Sequence, residues 1–411
     1  MRSQNGCTSD VIVDQDRRMS RQQKSQKLQQ FVDYKRNMKF KLVDRQFVAN
    51  NYSMRKTLGT GAFGTVKLCM HRKTQMPCAI KFIKKESLRV HEVYQQLNKN
   101  ELEVLEETQH PHITRIFELL EDERNYYIVA ELMSGGNLLE KIQEQRQFNE
   151  SKAANVVAQV LHALNYMHGM NIMHRDLKPE NILCEKSSDV AETEIHVKLT
   201  DFGFATKYDP NGRQHTLSLG SPLYMAPELC KEIAYDNKVD VWSTGVITYI
   251  LLAGRPPFYD KNSRQTKEGI YQDIINSTPD YKVLDHVSAE ATDFIKSALN
   301  KDPAMRPSIQ ELIESPWITK YSQGESLDQE RELDLSHNLA AFAKTSIFQS
   351  GVCPIMANLM TEAEDLGELR TLFTKWDLNH DGYITMDELE QNMQEVCNLF
   401  NLDEPDVRKM M

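Results

Sequence analysis

The chain has 411 residues, more than a single hydrophobic core usually serves, so we expect two or three domains. Its hydrophobic fraction of 40% and charged fraction of 26% are those of an ordinary soluble protein. A net charge of -10 gives a nucleic-acid partner no electrostatic support. Seven scattered cysteines without a Cys-x-x-Cys pair argue against a disulfide scaffold or a zinc site and favour the cytoplasm.

The first domain in chain order is a basic extension, residues 1–51. Within residues 1–50, 11 lysines and arginines stand against 5 acidic residues. We predict a mostly disordered segment with room for one helix. Contact with an anionic membrane surface is the sharper alternative for these charges. We expect no transmembrane segment, because the most apolar run, 239–253, is short and includes Asp240, which indicates a buried core helix.

From Tyr52 onward the pattern changes from polar to strand-like. Short runs rich in β-branched residues predict strands at 65–69, 78–83 and 126–129. A helical pattern interrupts them at 94–108, and a longer one has apolar residues at helical spacing from Ala154 to Met167. A strand-rich lobe followed by a larger helical lobe is an α+β arrangement with a natural cleft between its parts.

A glycine-rich motif, Gly-Thr-Gly-Ala-Phe-Gly-Thr-Val, begins at Gly59 and ends at Val66. Glycines let the backbone approach phosphate groups that a side chain would keep away. The motif alone also occurs in dinucleotide-binding turns, but those turns lead into a helix. Here the motif leads into a strand, and the segment Cys-Ala-Ile-Lys ends at Lys81, 17 residues after Gly64.

Three further motifs complete a pattern that resembles the eukaryotic serine/threonine protein kinases over residues 52–318. They are His-Arg-Asp-Leu-Lys-Pro-Glu-Asn at 174–181, Asp-Phe-Gly at 201–203 and Ala-Pro-Glu at 226–228. The resemblance implies a two-lobed fold, ATP and Mg²⁺ as cofactors, and protein substrates. Glu228 with Arg306 then resembles a buried structural ion pair, and Asp240 a support for the catalytic-loop backbone.

The resemblance also implies the role of each catalytic side chain. Asp176 would accept the proton of the incoming hydroxyl, and Lys178 would contact the γ-phosphate. Lys81 would bind the α- and β-phosphates and pair with Glu101, with Glu103 as the alternative partner. The side chains expected to bind Mg²⁺ are Asn181 and Asp201. The residues expected to bind the nucleotide are Leu58, Gly59, Gly61, Gly64, Val66, Ala79, Lys81, Glu131, Met133 and Asp201.

Three positions depart from the usual kinase pattern. Ser221 replaces a threonine but keeps a hydroxyl, so its hydrogen bond toward Asp176 should survive. Asn137 replaces a glutamate, which puts in doubt a strong preference for an arginine three residues before the target. Ala130 occupies the gatekeeper position before Glu131 and is small, which predicts an enlarged pocket behind the adenine.

A second constellation lies near the C-terminus, in residues 377–388. It matches the twelve-residue EF-hand loop, with Gly382 at the sharp turn. Oxygen atoms at alternate positions and a final bidentate carboxylate are what Ca²⁺ requires. The expected Ca²⁺ ligands are Asp377, Asn379, Asp381, the carbonyl of Tyr383, Thr385 and Glu388.

A kinase followed by a junction (319–360) and an EF-hand region (361–411) resembles the calcium-dependent protein kinase family. That family carries four EF-hands, whereas this chain shows one complete loop. Three explanations of a single hand stay open: a truncated sequence, atypical calcium control, or pairing of the hand between molecules. We expect a monomer. The resemblance implies that the junction inhibits the kinase at low Ca²⁺. The alternatives are a constitutive kinase with a vestigial hand and a non-catalytic calcium-responsive scaffold.

Overall fold

The computed structural model divides the chain into two compact units, Lys39–Gly324 and a second unit of Met1–Met38 with Glu325–Met411. The residues that the structure describes are 41–61, 64–86, 104–105, 108–185, 195–209, 215–217, 219–258, 266–322, 376–377, 388 and 391. The junction 319–360 is therefore outside the described residues beyond Ser322, and so is most of the predicted helix 94–108.

A six-stranded sheet forms the first part of the Lys39–Gly324 unit, in the order β1-β5-β6-β4-β3-β2. Its strands are β1 (Lys41–Leu42), β2 (Tyr52–Gly61), β3 (Gly64–His71), β4 (Pro77–Lys84), β5 (Ile116–Glu121) and β6 (Asn125–Glu131). All neighbours are antiparallel except β1 and β5, which are parallel. The three strands predicted from β-branched runs are confirmed.

Residues 41–51, which the sequence places in the basic extension, form β1 and a short helix, α1 (Phe47–Asn51). Val48 of α1 is buried in a cluster that includes Tyr52, Cys69 and Cys78 of the sheet. A five-residue helix with a single buried side chain gives no repeating apolar pattern, so periodicity could not reveal it. The sheet thus gains a parallel edge strand from the segment preceding the glycine motif.

The second part of the unit is helical. Its helices are α2 (Leu138–Gln145), α3 (Glu150–Gly169), α4 (Pro227–Cys230), α5 (Lys238–Ala253), α6 (Lys267–Asn276), α7 (Ala289–Ala298), α8 (Ile309–Ile313) and α9 (Pro316–Ser322). The predicted amphipathic helix and the predicted core helix are therefore confirmed as α3 and α5. Gly245 lets α5 approach α7, because a Cβ atom there would lie 2.8 Å from Cβ of Ala298.

Two small sheets and a short 3-10 helix flank the segment 174–178. The paired strands are β7 (Ile172–Met173) with β10 (Thr206–Lys207), and β8 (Ile182–Cys184) with β9 (Val197–Leu199). The 3-10 helix Pro179–Asn181 lies directly before β8. Further 3-10 helices are Pro222–Tyr224, Tyr281–Leu284 and Pro303–Met305. The predicted two-lobed α+β kinase fold is confirmed, and no described helix is long and apolar enough to cross a membrane.

Candidate active site

The glycine motif covers the end of β2 and the start of β3. Gly59 pairs with Val66, and Gly61 pairs with Gly64 at the end of the ladder. A Cβ atom on Gly59 would meet nothing within 4 Å, so the backbone there borders open space. Gly64 is required for a different reason, since a Cβ atom would collide with the carbonyl oxygen of Phe82 on β4. The backbone at Gly59 therefore has the open space that close approach of a phosphate requires.

Lys81 lies on β4 and extends to the Asp-Phe-Gly motif. Its Nζ is 2.9 Å from Oδ1 of Asp201, and the two side chains are 18% and 41% exposed. Burial alone would raise the pKa of Asp201, but the nearby ammonium group outweighs it, and the pKa lies below its usual value. Asp201 is ionised at neutral pH and has a left-handed backbone with φ of 59°. Glu101, the predicted partner of Lys81, lies outside the described residues.

Asp176 is buried at the centre of a network of side chains. Its Oδ2 accepts hydrogen bonds from Lys178 Nζ at 2.7 Å and from Asn181 Nδ2 at 3.1 Å. Its Oδ1 accepts from both the backbone N–H and the hydroxyl of Ser221, each at 3.0 Å. Lys178 also donates to the Ser221 hydroxyl at 2.8 Å. The structure thus brings together three predicted catalytic residues, and the predicted Ser221 hydrogen bond is confirmed.

Asp240 of α5 supports the backbone of the catalytic loop, residues 174–181. The carboxylate of Asp240 accepts the backbone N–H groups of His174 and Arg175, each at 2.9 Å, and Nε2 of His168 at 2.9 Å. Burial would raise the pKa of Asp240, but these hydrogen bonds and the neighbouring histidines hold it below its usual value. The predicted support of the catalytic loop by Asp240 is confirmed.

Two further contacts join distant motifs inside the helical lobe. The rings of His174 and Phe202 are tilted at a centroid distance of 5.4 Å, and both side chains are buried. Arg306 makes a bidentate ion pair with Glu228, at 2.6 and 2.8 Å, and the two side chains are 0% and 2% exposed. The predicted buried ion pair is therefore confirmed.

The connection after β6 contains the residues predicted to face the adenine. Ala130 pairs with Ala79 on β4 and with Ile116 on β5. Glu131 accepts two hydrogen bonds from Lys198 Nζ of β9, at 2.8 and 3.0 Å. Sequence reasoning missed Lys198, because its partner is 67 positions away and no motif joins the two.

The remaining predicted nucleotide residues border the same strands. Leu58 is 43% exposed on β2, directly before Gly59. Val66 pairs with Lys81 across β3 and β4, and Met133 is partly buried just after β6. Asn137 caps α2, because its side chain accepts from the Glu140 backbone N–H at 3.0 Å. Cap formation is thus an observed structural role for this unusual residue.

The predicted calcium loop is described at its two ends alone. Asp377 and Glu388, the first and last loop positions, are 4% and 7% exposed, and the adjacent Trp376 is 1% exposed. The predicted ligands Asn379, Asp381, Tyr383 and Thr385 lie outside the described residues. In the part of the chain that the structure describes, no group of three or more His, Cys, Asp or Glu side chains is arranged to hold a metal.

The family model for the protein kinase domain matches residues 52–318, which is more than half of the chain. The chain therefore belongs to the protein kinase family. This result agrees with the glycine turn, the buried catalytic loop and the two-lobed fold found above.

Several curated relatives are named calcium-dependent protein kinases. Calcium-dependent protein kinase 20 of Oryza sativa subsp. japonica is 33% identical over 352 residues, covering 85% of this chain and 62% of the relative. Calcium-dependent protein kinase 4 of Arabidopsis thaliana is 33% identical over 350 residues, covering 84% and 67%. Calcium-dependent protein kinase 4 of Plasmodium berghei (strain Anka) is 33% identical over 358 residues, covering 86% and 66%. The chain spans about two thirds of these relatives' lengths, and the predicted family resemblance is confirmed.

Proposed function

We propose that the chain is a calcium-regulated serine/threonine protein kinase that transfers the γ-phosphate of ATP to protein hydroxyl groups. The observation that carries the proposal is the network on Asp176, in which Lys178, Asn181 and Ser221 all contact one buried carboxylate. These three contacts fix where the carboxylate can meet a substrate hydroxyl.

The network suits phosphoryl transfer because little covalent chemistry is asked of the protein. Asp176 would orient the substrate hydroxyl and accept its proton. Lys178 would place a positive charge near the transferred group, where negative charge is spread in the transition state. Ser221 bonds both Lys178 and Asp176 and so holds the two side chains together. Lys81, on the opposite side of the cleft, would bind the α- and β-phosphates.

The donor set in the cleft fits Mg²⁺. Asp201 offers a carboxylate that is ionised at neutral pH, and Asn181 offers an amide oxygen, since its Nδ2 already donates to Asp176. Mg²⁺ is usually held by one or two carboxylates together with substrate phosphates and water. A site of this kind does not need a cluster of three acidic side chains. When bound, Mg²⁺ neutralises charge between the β- and γ-phosphate oxygens.

Calcium regulation rests on the EF-hand loop and on the names of the relatives. The loop ends, Asp377 and Glu388, are buried, and carboxylates at the first and last loop positions are Ca²⁺ ligands in an EF-hand. Oxygen donors at all six ligand positions of the loop fit Ca²⁺. We propose that Ca²⁺ binding to residues 377–388 relieves inhibition by the junction 319–360. We further propose that the kinase is a cytoplasmic monomer.

The experiment that tests this proposal is phosphate transfer from Mg-ATP to a basic serine peptide over a calcium titration. The same titration is run on Asp176→Asn and on Glu388→Gln. We expect transfer that rises with Ca²⁺, that Asp176→Asn abolishes, and that in Glu388→Gln no longer responds to Ca²⁺. Transfer that is equal in EGTA would retain the kinase and remove the calcium switch. Absence of transfer at every Ca²⁺ concentration would overturn the enzymatic proposal.

A further inference from the structure

We propose that the hydroxyl of Tyr235 is a positioning group that fastens the activation segment to Arg175, so that the catalytic loop is ordered without a phosphate on that segment. Here the activation segment means residues 201–228, between the Asp-Phe-Gly and Ala-Pro-Glu motifs. The inference deepens the proposed kinase function and depends on it.

Arg175 is the residue directly before Asp176, and two of its guanidinium N–H groups already donate hydrogen bonds. The residue is 6% exposed, and its backbone has a left-handed φ of 66°. Its Nε donates to the carbonyl oxygen of Phe204 at 2.6 Å, and its Nη1 donates to the Tyr235 hydroxyl at 3.1 Å. The guanidinium therefore holds both the start of the activation segment and the loop after α4.

Tyr235 also contacts a later part of the activation segment, at Leu217. Its hydroxyl donates to the carbonyl oxygen of Leu217 at 2.8 Å while it accepts from Arg175. A phenol can donate one hydrogen bond and accept another at the same time, and here both are used. The backbone of Tyr235 pairs with His215 through a 3.0 Å hydrogen bond. Tyr235 is only 3% exposed, so water does not compete for its hydroxyl.

The consequence reaches Asp176 within a few residues. Gly220 lies three residues after Leu217, and its φ of 113° and close approach to the carbonyl oxygen of Arg175 exclude a side chain. A Cβ atom there would lie 2.8 Å from that oxygen. Ser221 comes next and donates two hydrogen bonds to Asp176. A shift of Leu217 away from Tyr235 would therefore disturb the contacts of the proposed proton acceptor.

Arg175 is also the group that would bind a phosphate on the activation segment. Two of its five N–H donors already bond the carbonyl oxygen of Phe204 and the hydroxyl of Tyr235, so this link to the activation segment exists without a phosphate. Leu217, whose carbonyl accepts the Tyr235 hydroxyl, has no hydroxyl that could be phosphorylated, and it is 44% exposed. The neutral hydroxyl of Tyr235 therefore links Arg175 to the activation segment, as a phosphate would otherwise do.

The test compares Tyr235→Phe with Tyr249→Phe in the full chain at saturating Ca²⁺. Tyr249 is a matched control, because it is a buried tyrosine of the same lobe whose hydroxyl donates to a backbone carbonyl, that of Asp280, at 2.9 Å. Steady-state kinetics with a peptide give kcat and the KM for ATP. Wild type is measured before and after treatment with a broad-specificity protein phosphatase, with the phosphate content followed by intact mass.

We expect Tyr235→Phe to lower kcat by about ten-fold, the effect of losing hydrogen bonds that involve a charged donor. The KM for ATP should stay within about two-fold, since Lys81 and the glycine turn are untouched. Tyr249→Phe and dephosphorylated wild type should keep the wild-type kcat. An unchanged kcat in Tyr235→Phe, an equal fall in Tyr249→Phe, or a collapse of wild-type activity on dephosphorylation would overturn the inference.

Hydrogen–deuterium exchange separates this inference from the proposed function. Peptides that cover residues 204–221 should exchange faster in Tyr235→Phe than in wild type or Tyr249→Phe, whether or not the protein transfers phosphate. Absence of phosphate transfer in wild type would count against the proposed function alone. Equal exchange in all three proteins would count against the role of Tyr235 alone.

Discussion

Two ion pairs of the Lys39–Gly324 unit differ in their surroundings. Lys81 and Asp201 meet at the cleft through a single 2.9 Å contact, and their side chains are 18% and 41% exposed. Glu228 and Arg306 meet inside the helical lobe through two contacts, and their side chains are 2% and 0% exposed. Arg306 additionally donates to the carbonyl oxygens of Asn300 and Lys238.

The difference indicates what each pair can do. A partly exposed pair contributes little to stability, about 0–1 kcal/mol, and can exchange its partner for a ligand. A fully buried pair cannot lose one member without leaving an uncompensated charge in the interior. The cleft pair is thus available to a nucleotide and a metal ion, whereas the buried pair fixes the end of the activation segment to the helices beneath it.

Arg306→Met gives the largest expected effect on this comparison. Removal of the guanidinium leaves Glu228 buried without its bidentate partner, so we expect the free energy of unfolding to fall by about 3–5 kcal/mol. Urea denaturation followed by circular dichroism measures the loss. The control is Arg255→Met, since Arg255 pairs with Asp280 at 2.9 Å but the side chains are 38% and 55% exposed. If both variants lost the same stability, burial would not be what separates the pairs.

Lys81→Met should show the opposite behaviour, with a large catalytic effect and a small effect on stability. We expect kcat/KM for ATP to fall by about 10²–10³-fold, because a charge that would stabilise the transferring phosphates is removed. The free energy of unfolding should change by no more than about 1 kcal/mol.

Lys84→Met is the control for Lys81→Met. Lys84 lies on the same strand and is exposed, so it should retain wild-type kinetics. A Lys81→Met protein with unimpaired transfer, or one that unfolds like Arg306→Met, would contradict the division between the two pairs.

The motif residues of the cleft could be predicted from the sequence because their types and spacings are short-range. Lys81, Asp176 and Asp201 each belong to a motif of a few consecutive residues, and the glycine turn leads directly into its strand. The strands β3, β4 and β6 were predicted from their β-branched runs, α3 from its apolar periodicity and α5 from its continuous apolar run.

The contacts that the sequence did not reveal join residues far apart in the chain. Tyr235 and Arg175 are 60 positions apart, and Lys198 and Glu131 are 67 apart. A single tyrosine or lysine has no local pattern that marks its partner, because the contact is created by tertiary packing. Asn137 was interpreted through its effect on substrate choice, whereas its backbone position makes it the N-cap of α2.

Asp240 extends the comparison to pH. Its pKa is held below the usual value in the folded state, so ionised Asp240 stabilises the protein above the unfolded pKa of about 3.9. That contribution is lost as the pH falls through the folded pKa. We expect Asp240→Asn to be less stable at pH 7 and to lose stability less steeply below about pH 4, by at most about 1.4 kcal/mol per pH unit.

Urea unfolding of wild type and Asp240→Asn between pH 5 and pH 3 checks this expectation. The control is Asp293→Asn, because Asp293 is 76% exposed and has only a 3.8 Å contact with Lys296. If the Asp240→Asn slope matched the wild-type slope, the carboxylate would not be ionised in its buried position.

Ser221→Ala is expected to have the smallest effect, and it tests whether the Ser221 hydroxyl contributes to catalysis by positioning Asp176. The hydroxyl links Lys178 to Asp176, but the Ser221 backbone N–H still donates to Asp176 at 3.0 Å in the variant. We therefore expect a loss of about 1 kcal/mol in transition-state stabilisation, or roughly five-fold in kcat, with little change in stability. Steady-state kinetics of peptide phosphorylation measure it, and Ser221→Thr should restore the wild-type kcat because it keeps the hydroxyl. Equal kinetics in the alanine and threonine variants would show that the hydroxyl is dispensable, and that the backbone hydrogen bond alone orients the carboxylate.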